Sequence, residues 1–152
     1  KPYLFRKTSY DNIASGLKFK RMDTDEISTK VEKYLHYFDV ESLLEKKSSW
    51  LSGGERAKIA LLRTAVLETE VTLLDEPTAG MDMESSIKAE KLIKDMSSGG
   101  RTVIIVTHDV YQAKRIADYV LFMDKGKIIE EGRSDDVLSN PKNPLIKQIL
   151  NI

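Results

Sequence analysis

Cysteine is absent from this sequence of 152 residues, which excludes disulfide bonds and thiolate metal sites and fits a reducing compartment. No apolar run approaches the roughly 20 residues that a transmembrane helix requires, and no signal peptide is recognisable. Charge of one sign is not in excess either, because 24 basic residues balance 24 acidic ones. No strong field therefore attracts the chain to nucleic acid or anionic lipid, and no nucleic-acid partner is expected. Any membrane role would have to come through a partner protein.

The first half of the sequence predicts helices only. Thr8 followed by Asp11 is suited to cap a short helix, and a second helical pattern begins at Thr24. The apolar residues of that second pattern recur with the helical period, at Ile27, Val31, Tyr34, Leu35 and Phe38. A shorter helical piece is expected over 40–46 and a longer helix over 52–69. We therefore expect residues 1–69 to form an all-helical subdomain.

The second half alternates strands with helices. The runs 71–74 and 103–107 are short, apolar and rich in β-branched residues, a pattern typical of parallel strands buried on both faces. Between them, one helix carries an apolar side and ends at Gly99-Gly100. The remaining elements are a helix over 109–117, a hairpin of 119–123 with 127–130, and helices over 134–139 and 143–151. This alternation predicts an α/β core over 70–133, followed by C-terminal helices over 134–152.

Two glycines interrupt an otherwise strong helix start. Ser52 and Glu55 fit a capping box, in which each side chain satisfies the backbone N–H of the other. Gly53 and Gly54 lie between them, although glycine lowers helix stability. A helix N-terminus attracts anions, and a first turn without side chains leaves its backbone open to a phosphate. The alternative is a plain capping box with no ligand.

Polar residues follow both apolar strands. Asp75-Glu76 comes after the first strand and His108-Asp109 after the second. In open α/β sheets, ligands bind beyond the carboxyl ends of the strands. One carboxylate there suits Mg²⁺, and a second can orient or deprotonate a water molecule. The alternatives are a solvated acidic loop and a structural histidine; His36 is expected to be structural, and Trp50 to serve packing.

Taken together, these motifs resemble those of the ATP-binding cassette (ABC) ATPases. Leu51-Ser52-Gly53-Gly54-Glu55 resembles the signature motif of that family, and 71–78 resembles its Walker B strand with the catalytic glutamate. Ala79-Gly80-Met81-Asp82 resembles the D-loop, and Thr107-His108-Asp109 resembles the segment with the switch histidine. The order and spacing of the motifs match as well, and the resemblance covers essentially the whole chain.

The resemblance implies a role for each matching residue, with ATP and Mg²⁺ as cofactors. Asp75 would hold Mg²⁺ through water, Glu76 would polarise the attacking water, and His108 would contact the γ-phosphate. Ser52, Gly53 and Gly54 would contact ATP bound to the opposite subunit of a head-to-tail dimer. The nucleotide site would also include Glu55 and Asp82. Two residues depart from the family pattern: Ala79 replaces a usual serine, and Trp50 replaces a commoner polar residue.

One motif of the family is missing. The chain contains no G-x-x-x-x-G-K-[S/T], so the Walker A loop that cradles phosphates is absent. The sequence is therefore interpreted as the C-terminal portion of a nucleotide-binding domain with a P-loop NTPase (RecA-like) fold, lacking its Walker A strand. We expect 71–75 and 103–107 to pair in parallel. The strand 119–123 would either pair with 103–107 directly or with another chain.

The compact helical subdomain resembles that of transporter ATPases. By this resemblance, the segment from Tyr3 to Asn12 corresponds to the surface that receives a transmembrane permease, and Tyr3, Leu4 and Phe5 are predicted permease contacts. The C-terminal part resembles importer ATPases. More specifically, the resemblance implies an importer of inorganic oxyanions. These features imply a cytoplasmic protein, peripheral on the cell membrane. The alternatives are a translation or DNA-repair type of ABC ATPase and a non-catalytic regulatory module.

Overall fold

The computed structural model describes residues 2–151. The chain divides into two compact units, one ending at Val106 and the other beginning at Thr107. The subdomain boundaries predicted after residues 69 and 133 stay a prediction.

The helices of the first unit begin and end close to the predicted positions. They are α1 (Ser9–Phe19), α2 (Thr24–Leu35), α3 (Gly53–Ala65) and α4 (Met83–Ser98), with 3₁₀ turns at Glu41–Leu43 and Ser48–Trp50. Thr8 caps α1 by accepting a hydrogen bond from the backbone N–H of Asp11, as predicted. Gly99 follows α4 at its C-terminus, as predicted. The helical piece expected over 40–46 is only the short 3₁₀ turn at Glu41–Leu43.

Apolar faces of these helices form the core of the first unit. α1 packs on α2 and α3, and α3 also packs on α4. Fully buried side chains come from all four helices: Ile13, Leu17, Val31, Ile59, Leu62 and Leu92. Each such side chain stabilises the fold by roughly 1.5–3 kcal/mol relative to exposure. The periodic spacing of these residues, which predicted the helices, therefore also supplies the core.

The strands β1 (Val71–Asp75) and β2 (Thr102–Val106) pair in parallel, as predicted, with Leu73 opposite Ile104. The expectation that both faces are buried is wrong. Thr72 and Leu74 are buried, whereas the alternate residues Val71, Leu73, Ile104 and Val106 are 48–72% exposed. Successive side chains of a strand point to opposite faces, and α4 packs against β2. An apolar run on two strands therefore leaves one apolar face of this sheet open.

As far as residue 151, the second unit contains a hairpin and three helices. It consists of α5 (Val110–Ile116), β3 (Tyr119–Asp124), β4 (Lys127–Arg133), α6 (Ser134–Ser139) and α7 (Pro144–Leu150). β3 and β4 pair antiparallel around Lys125 and Gly126, which both have positive φ, as a tight hairpin turn requires. Val120, Val137 and Leu138 form a small core. The predicted hairpin is thus confirmed.

The direct pairing of 119–123 with 103–107, one of the two predicted alternatives, does not occur. Within residues 2–151, β2 pairs with β1 and β3 pairs with β4, in two separate two-stranded sheets. In the hairpin, β4 supplies hydrogen-bond partners for one edge of β3, so that edge needs no strand from elsewhere in the sequence. Pairing with another chain, the second alternative, stays a prediction. Among the described residues, no helix is both long and apolar enough to cross a lipid bilayer.

Candidate functional site

The start of α3 has the predicted capping box. The Ser52 hydroxyl accepts a hydrogen bond from the backbone N–H of Glu55 at 3.2 Å, and Glu55 Oε2 accepts one from the backbone N–H of Ser52 at 2.6 Å. That second hydrogen bond is the main reason why the pKa of Glu55 lies below its usual range, so the carboxylate stays charged at neutral pH. Glu55 also lies 3.6 Å from the ammonium of Lys46. Both carboxylate oxygens of Glu55 thus have partners within the chain.

The two glycines of this turn have different surroundings. A Cβ atom on Gly53 would meet nothing within 4 Å, so the backbone there is open to a ligand. A Cβ atom on Gly54 would lie 3.1 Å from the carbonyl oxygen of Gly80 and 3.9 Å from the Cα atom of Met81. Gly53 therefore fits the open anion site inferred from the sequence. Gly54 instead permits close contact between the start of α3 and the loop after β1, a function that the sequence did not indicate.

Backbone hydrogen bonds fix the loop after β1. Asp75 ends β1 opposite Val106, and the backbone N–H of Glu76 donates to the carbonyl of Val106 at 2.9 Å. Two successive turns follow, from Ala79 N–H to the Glu76 carbonyl and from Met81 N–H to the Thr78 carbonyl, both at 3.1 Å. Glu76 has φ of 46°, a left-handed conformation that costs a non-glycine residue energy and occurs often at functional sites. The predicted catalytic glutamate is therefore held in an unusual backbone conformation.

Asp82 ends this loop as the N-cap of α4. Its Oδ1 accepts a hydrogen bond from the backbone N–H of Ser85 at 2.7 Å. This bond is the chief reason why the pKa of Asp82 lies below its usual range. The structure therefore gives Asp82 a capping role, and its predicted contact with nucleotide stays a prediction.

The acidic residues at the end of β1 fit a magnesium ion that arrives with a nucleotide. Among residues 2–151, no group of three or more His, Cys, Asp or Glu side chains could hold a metal ion by itself. Asp75 and Glu76 are nevertheless consecutive acidic residues at the strand end. Mg²⁺ commonly takes one or two carboxylates and completes its coordination with water and phosphate oxygens. These two carboxylates suit a magnesium ion that is also coordinated by water and phosphate oxygens, and not one coordinated by protein side chains alone.

His108 lies in the second unit, whereas the other predicted site residues lie in the first. Its side chain is exposed, in the segment between β2 and α5. The neighbouring Asp109 caps α5 by accepting hydrogen bonds from the backbone N–H groups of Tyr111 and Gln112. The first unit thus brings the start of α3 together with the loop 76–82. The catalytic role of His108 stays a prediction.

Three residues of the first unit differ from expectation or were not singled out in the sequence. Trp50, which was expected to serve packing, is 72% exposed, and the Lys47 ammonium lies 6.0 Å from its ring centroid. Arg56 donates hydrogen bonds to the Ser48 carbonyl at 2.7 Å and the Pro2 carbonyl at 3.5 Å. Arg56 lies near the N-terminus of α3, where a positive charge is unfavourable because it opposes the helix dipole. That unfavourable position was the signal in the sequence that Arg56 makes a specific contact. His36 is exposed too, with its ring centroid 4.2 Å from that of Tyr37.

Comparison with known proteins identifies the family. The model of the ABC transporter family matches residues 2–79, about half of the chain. The chain belongs to the ABC transporter family. This match includes the capping box of α3, the strand β1 and the first residues of the loop after it. The α/β fold is accordingly that of the P-loop ATPase domains of ABC proteins.

Individual relatives agree with this assignment. The chain is 37% identical over 155 residues to the phosphate import ATP-binding protein PstB of Thermotoga maritima, covering 99% of this chain and 61% of PstB. The structure of CbiO1 from Clostridium perfringens, part of the ABC transporter complex CbiONQ, has a TM-score of 0.75 at 30% identity, covering 98% of this chain and 63% of CbiO1. A dimeric post-hydrolysis structure of the ATP-binding cassette MJ0796 with ADP and Pi has a TM-score of 0.78 at 26% identity, covering 86% and 59%. The chain therefore spans about three-fifths of the length of these relatives.

Proposed function

We propose that this chain forms part of the ATP-hydrolysing subunit of an ABC importer for an inorganic oxyanion. The observation that carries the proposal is the contact of Gly54 with Gly80, which joins the open helix start at Gly53 to the loop that bears Glu76. This proximity supports the proposal that the backbone at the start of α3 and the carboxylates after β1 belong to one site. The oxyanion rests on the 37% identity to a protein named for phosphate import.

Each site residue has a proposed role in ATP hydrolysis. Asp75 holds Mg²⁺ through water, and the bound Mg²⁺ would neutralise charge on the phosphates. Glu76 orients and polarises the attacking water, a task that its fixed left-handed backbone supports. His108 contacts the γ-phosphate. Phosphoryl transfer depends mainly on positioning, so the hydrogen-bonded loop 76–82 contributes by holding these groups still.

The start of α3 is proposed to bind ATP held by a second subunit in a head-to-tail dimer. Ser52 is exposed, and a Cβ atom on Gly53 would meet nothing within 4 Å, so both residues can approach a phosphate. Glu55 supports this turn through the capping box, and Asp82 supports the adjoining loop by capping α4. Their contribution to nucleotide binding is proposed to be mainly this positioning.

A transmembrane permease is the proposed second partner. Of the three predicted contact residues, Tyr3 and Phe5 are exposed at 73% and 44%, whereas Leu4 is buried at 5%. Tyr3 and Phe5 would thus make the direct contacts, with Leu4 fixing the segment to the core. Such a partner would keep the subunit peripheral on the cytoplasmic face of the membrane.

The test uses the full-length subunit, because the 152 residues contain no Walker A motif and are proposed to be inactive by themselves. Glu76→Gln should reduce steady-state ATP hydrolysis by about 10³-fold, since the water-orienting carboxylate is lost, while ATP-dependent dimers still form. Glu70→Gln is the matched control, because Glu70 is exposed just before β1.

The proposal also predicts phosphate uptake by the assembled transporter and loss of that uptake with Glu76→Gln. Hydrolysis that survives Glu76→Gln would contradict the catalytic assignment. Hydrolysis by the isolated 152-residue chain at the rate of the full-length subunit would contradict its proposed inactivity.

A further inference from the structure

Glu55 places a negative charge in the helix turn that is proposed to receive a phosphate. It is the one acidic residue between positions 46 and 58. Its carboxylate accepts a hydrogen bond of 2.6 Å from the Ser52 backbone N–H, which is the main reason why the pKa of Glu55 is lowered and the side chain is charged at neutral pH. Like charges repel each other strongly at short range near a protein surface. Binding of a phosphate at this turn therefore requires a cation that compensates Glu55.

Lys46 provides such a cation. Its ammonium lies 3.6 Å from Glu55 Oε1, whereas the other carboxylate oxygen binds the Ser52 N–H. This distance is too long for a strong hydrogen bond, so the interaction of Lys46 with Glu55 is mainly electrostatic. The two side chains are 46% and 26% exposed, and exposed ion pairs contribute little to the stability of a fold. The pair is thus better suited to set the charge of this turn than to hold the turn folded.

Backbone hydrogen bonds hold Lys46 in place independently of Glu55. The Lys46 carbonyl accepts hydrogen bonds from the Ser9 backbone N–H at 2.9 Å and from the Ser9 hydroxyl at 3.3 Å. Ser9 is fully buried at the start of α1. The Lys46 N–H donates to the Leu43 carbonyl at 3.0 Å. Lys46 therefore extends from a fixed backbone, and its position does not depend on the ion pair.

The neighbouring cations make other contacts. Arg56 is the residue after Glu55, but its guanidinium donates to two backbone carbonyls, at 2.7 and 3.5 Å. The ammonium of Lys47 lies 6.0 Å from the ring centroid of Trp50. Lys46 is therefore the cation that the structure places to compensate the charge of Glu55.

We propose that Lys46 is a positioning residue of the ATP site, which neutralises Glu55 so that the start of α3 accepts a phosphate of the nucleotide held by the second subunit. This inference rests on the proposed function and adds one residue to it. The Glu55 carboxylate completes the capping box and so orders the turn, at the expense of a negative charge beside the phosphate. Lys46 offsets that charge and leaves the cap intact. Ser52 and Gly53 remain the residues that meet the phosphate.

The experiment uses the full-length subunit with Glu76→Gln, in which ATP-dependent dimers are expected to accumulate. Sedimentation velocity at a fixed subunit concentration gives the ATP concentration at which half of the subunits are dimeric. Lys46→Met should raise that concentration about tenfold, with a larger effect at low salt because ions screen exposed charges. Lys47→Met is the matched control, since it removes the same charge from the adjacent exposed lysine. The control should change the concentration less than about twofold, because Lys47 contacts Trp50.

A second background tests whether Lys46 acts through Glu55. Glu55→Gln removes the charge but keeps a side-chain oxygen that can accept the hydrogen bond of the capping box. In the Glu55→Gln background, Lys46→Met should change the half-dimer ATP concentration less than about twofold, because no charge remains to be neutralised. A tenfold effect of Lys46→Met in both backgrounds would show that Lys46 acts independently of Glu55 and would overturn the inference.

The remaining outcomes separate the inference from the proposed function. If dimers form with ATP and Lys46→Met does not alter the ATP concentration required, the inference is overturned and the proposed function stands. An equal effect of Lys47→Met, or a loss of dimers that follows a loss of thermal stability, also overturns it, since the cause would then be general charge or folding. If the Glu76→Gln subunit forms no dimers with ATP, the proposed head-to-tail dimer is contradicted, and the inference fails with it.

Discussion

A Cβ atom on Gly54 would lie 3.1 Å from the carbonyl oxygen of Gly80, so the loop after β1 leaves little room for a side chain at this position of α3. Gly80 has φ of 81°, which favours glycine and turns the chain at this contact. The distance is shorter than an ordinary van der Waals contact. Two motifs that lie far apart in the sequence are thus joined through a pair of glycines.

This contact predicts opposite effects for the two glycines of α3. Gly54→Ala should lower the free energy of unfolding by about 1 kcal/mol, because strain against a backbone carbonyl outweighs the gain in helix propensity. Gly53→Ala, which meets open space, should leave it unchanged or raise it slightly. The sequence alone favours a stable Gly54→Ala protein, since it does not reveal the contact. Urea unfolding of both variants is the measurement, and equal stabilities would contradict the steric role of Gly54.

Glu68 makes the stability of the first unit depend on pH. Burial favours its neutral form, but hydrogen bonds from Lys30, Lys33 and Tyr34 outweigh burial and lower the pKa of Glu68 from 4.5 to about 2. A lowered carboxyl pKa stabilises the fold above the unfolded value of 4.5, and that stabilisation disappears as the pH falls to about 2.

Glu68→Gln should therefore destabilise the chain by about 1–2 kcal/mol at pH 7, and the difference from the wild type should shrink below pH 4.5. Thermal unfolding at several pH values measures this difference. The control is Glu32→Gln, on the exposed surface of α2. A difference that does not depend on pH would show that Glu68 acts through packing and not through its charge.

Asn12 is predicted to anchor the segment that carries Tyr3 and Phe5. Its side chain bonds the N–H and carbonyl of Phe5 and the carbonyl of Thr8. Asn12→Leu keeps the branched shape of the side chain, although leucine is larger, and removes the acceptor of the Phe5 backbone N–H, which should cost about 1–3 kcal/mol. Hydrogen exchange should then show faster exchange of the Phe5 amide. Unchanged exchange at Phe5 would mean that Ser48 alone holds the segment.

The open face of the β1–β2 sheet predicts a contrast between adjacent residues. Leu74 is 8% exposed and Leu73 is 72% exposed. Leu74→Ala should destabilise the chain by about 2–4 kcal/mol, whereas Leu73→Ala should change stability by less than about 0.5 kcal/mol. Because exposed apolar patches promote association, Leu73→Ala should also reduce self-association of the chain in sedimentation velocity. Equal destabilisation by the two substitutions would refute the open face.

The sequence by itself determined the local structure. Apolar residues at helical spacing, the caps at Thr8 and Ser52, and the glycines after α4 placed the helices within a few residues of their positions in the structure. Asp124-Lys125-Gly126 likewise determined the hairpin. These features depend on contacts within one turn of helix or across one tight turn, so a short stretch of sequence contains all the groups involved. The motifs also indicated the family for the same reason, since each is a short run of residues.

Only the tertiary structure decided which surfaces meet. Leu73 and Leu74 have the same side chain, but strand alternation and the packing of α4 bury one and leave the other exposed. Gly80 lies close to Gly54, and Lys30 and Lys33 both bind Glu68, although these residues are distant in sequence. The exposure of Trp50 is likewise a result of tertiary packing. Such contacts depend on how elements pack in three dimensions, and a hydrophobic pattern along one element does not specify its partner. For that physical reason, the sequence revealed the chemistry of the candidate site, and the fold revealed how its parts are held together.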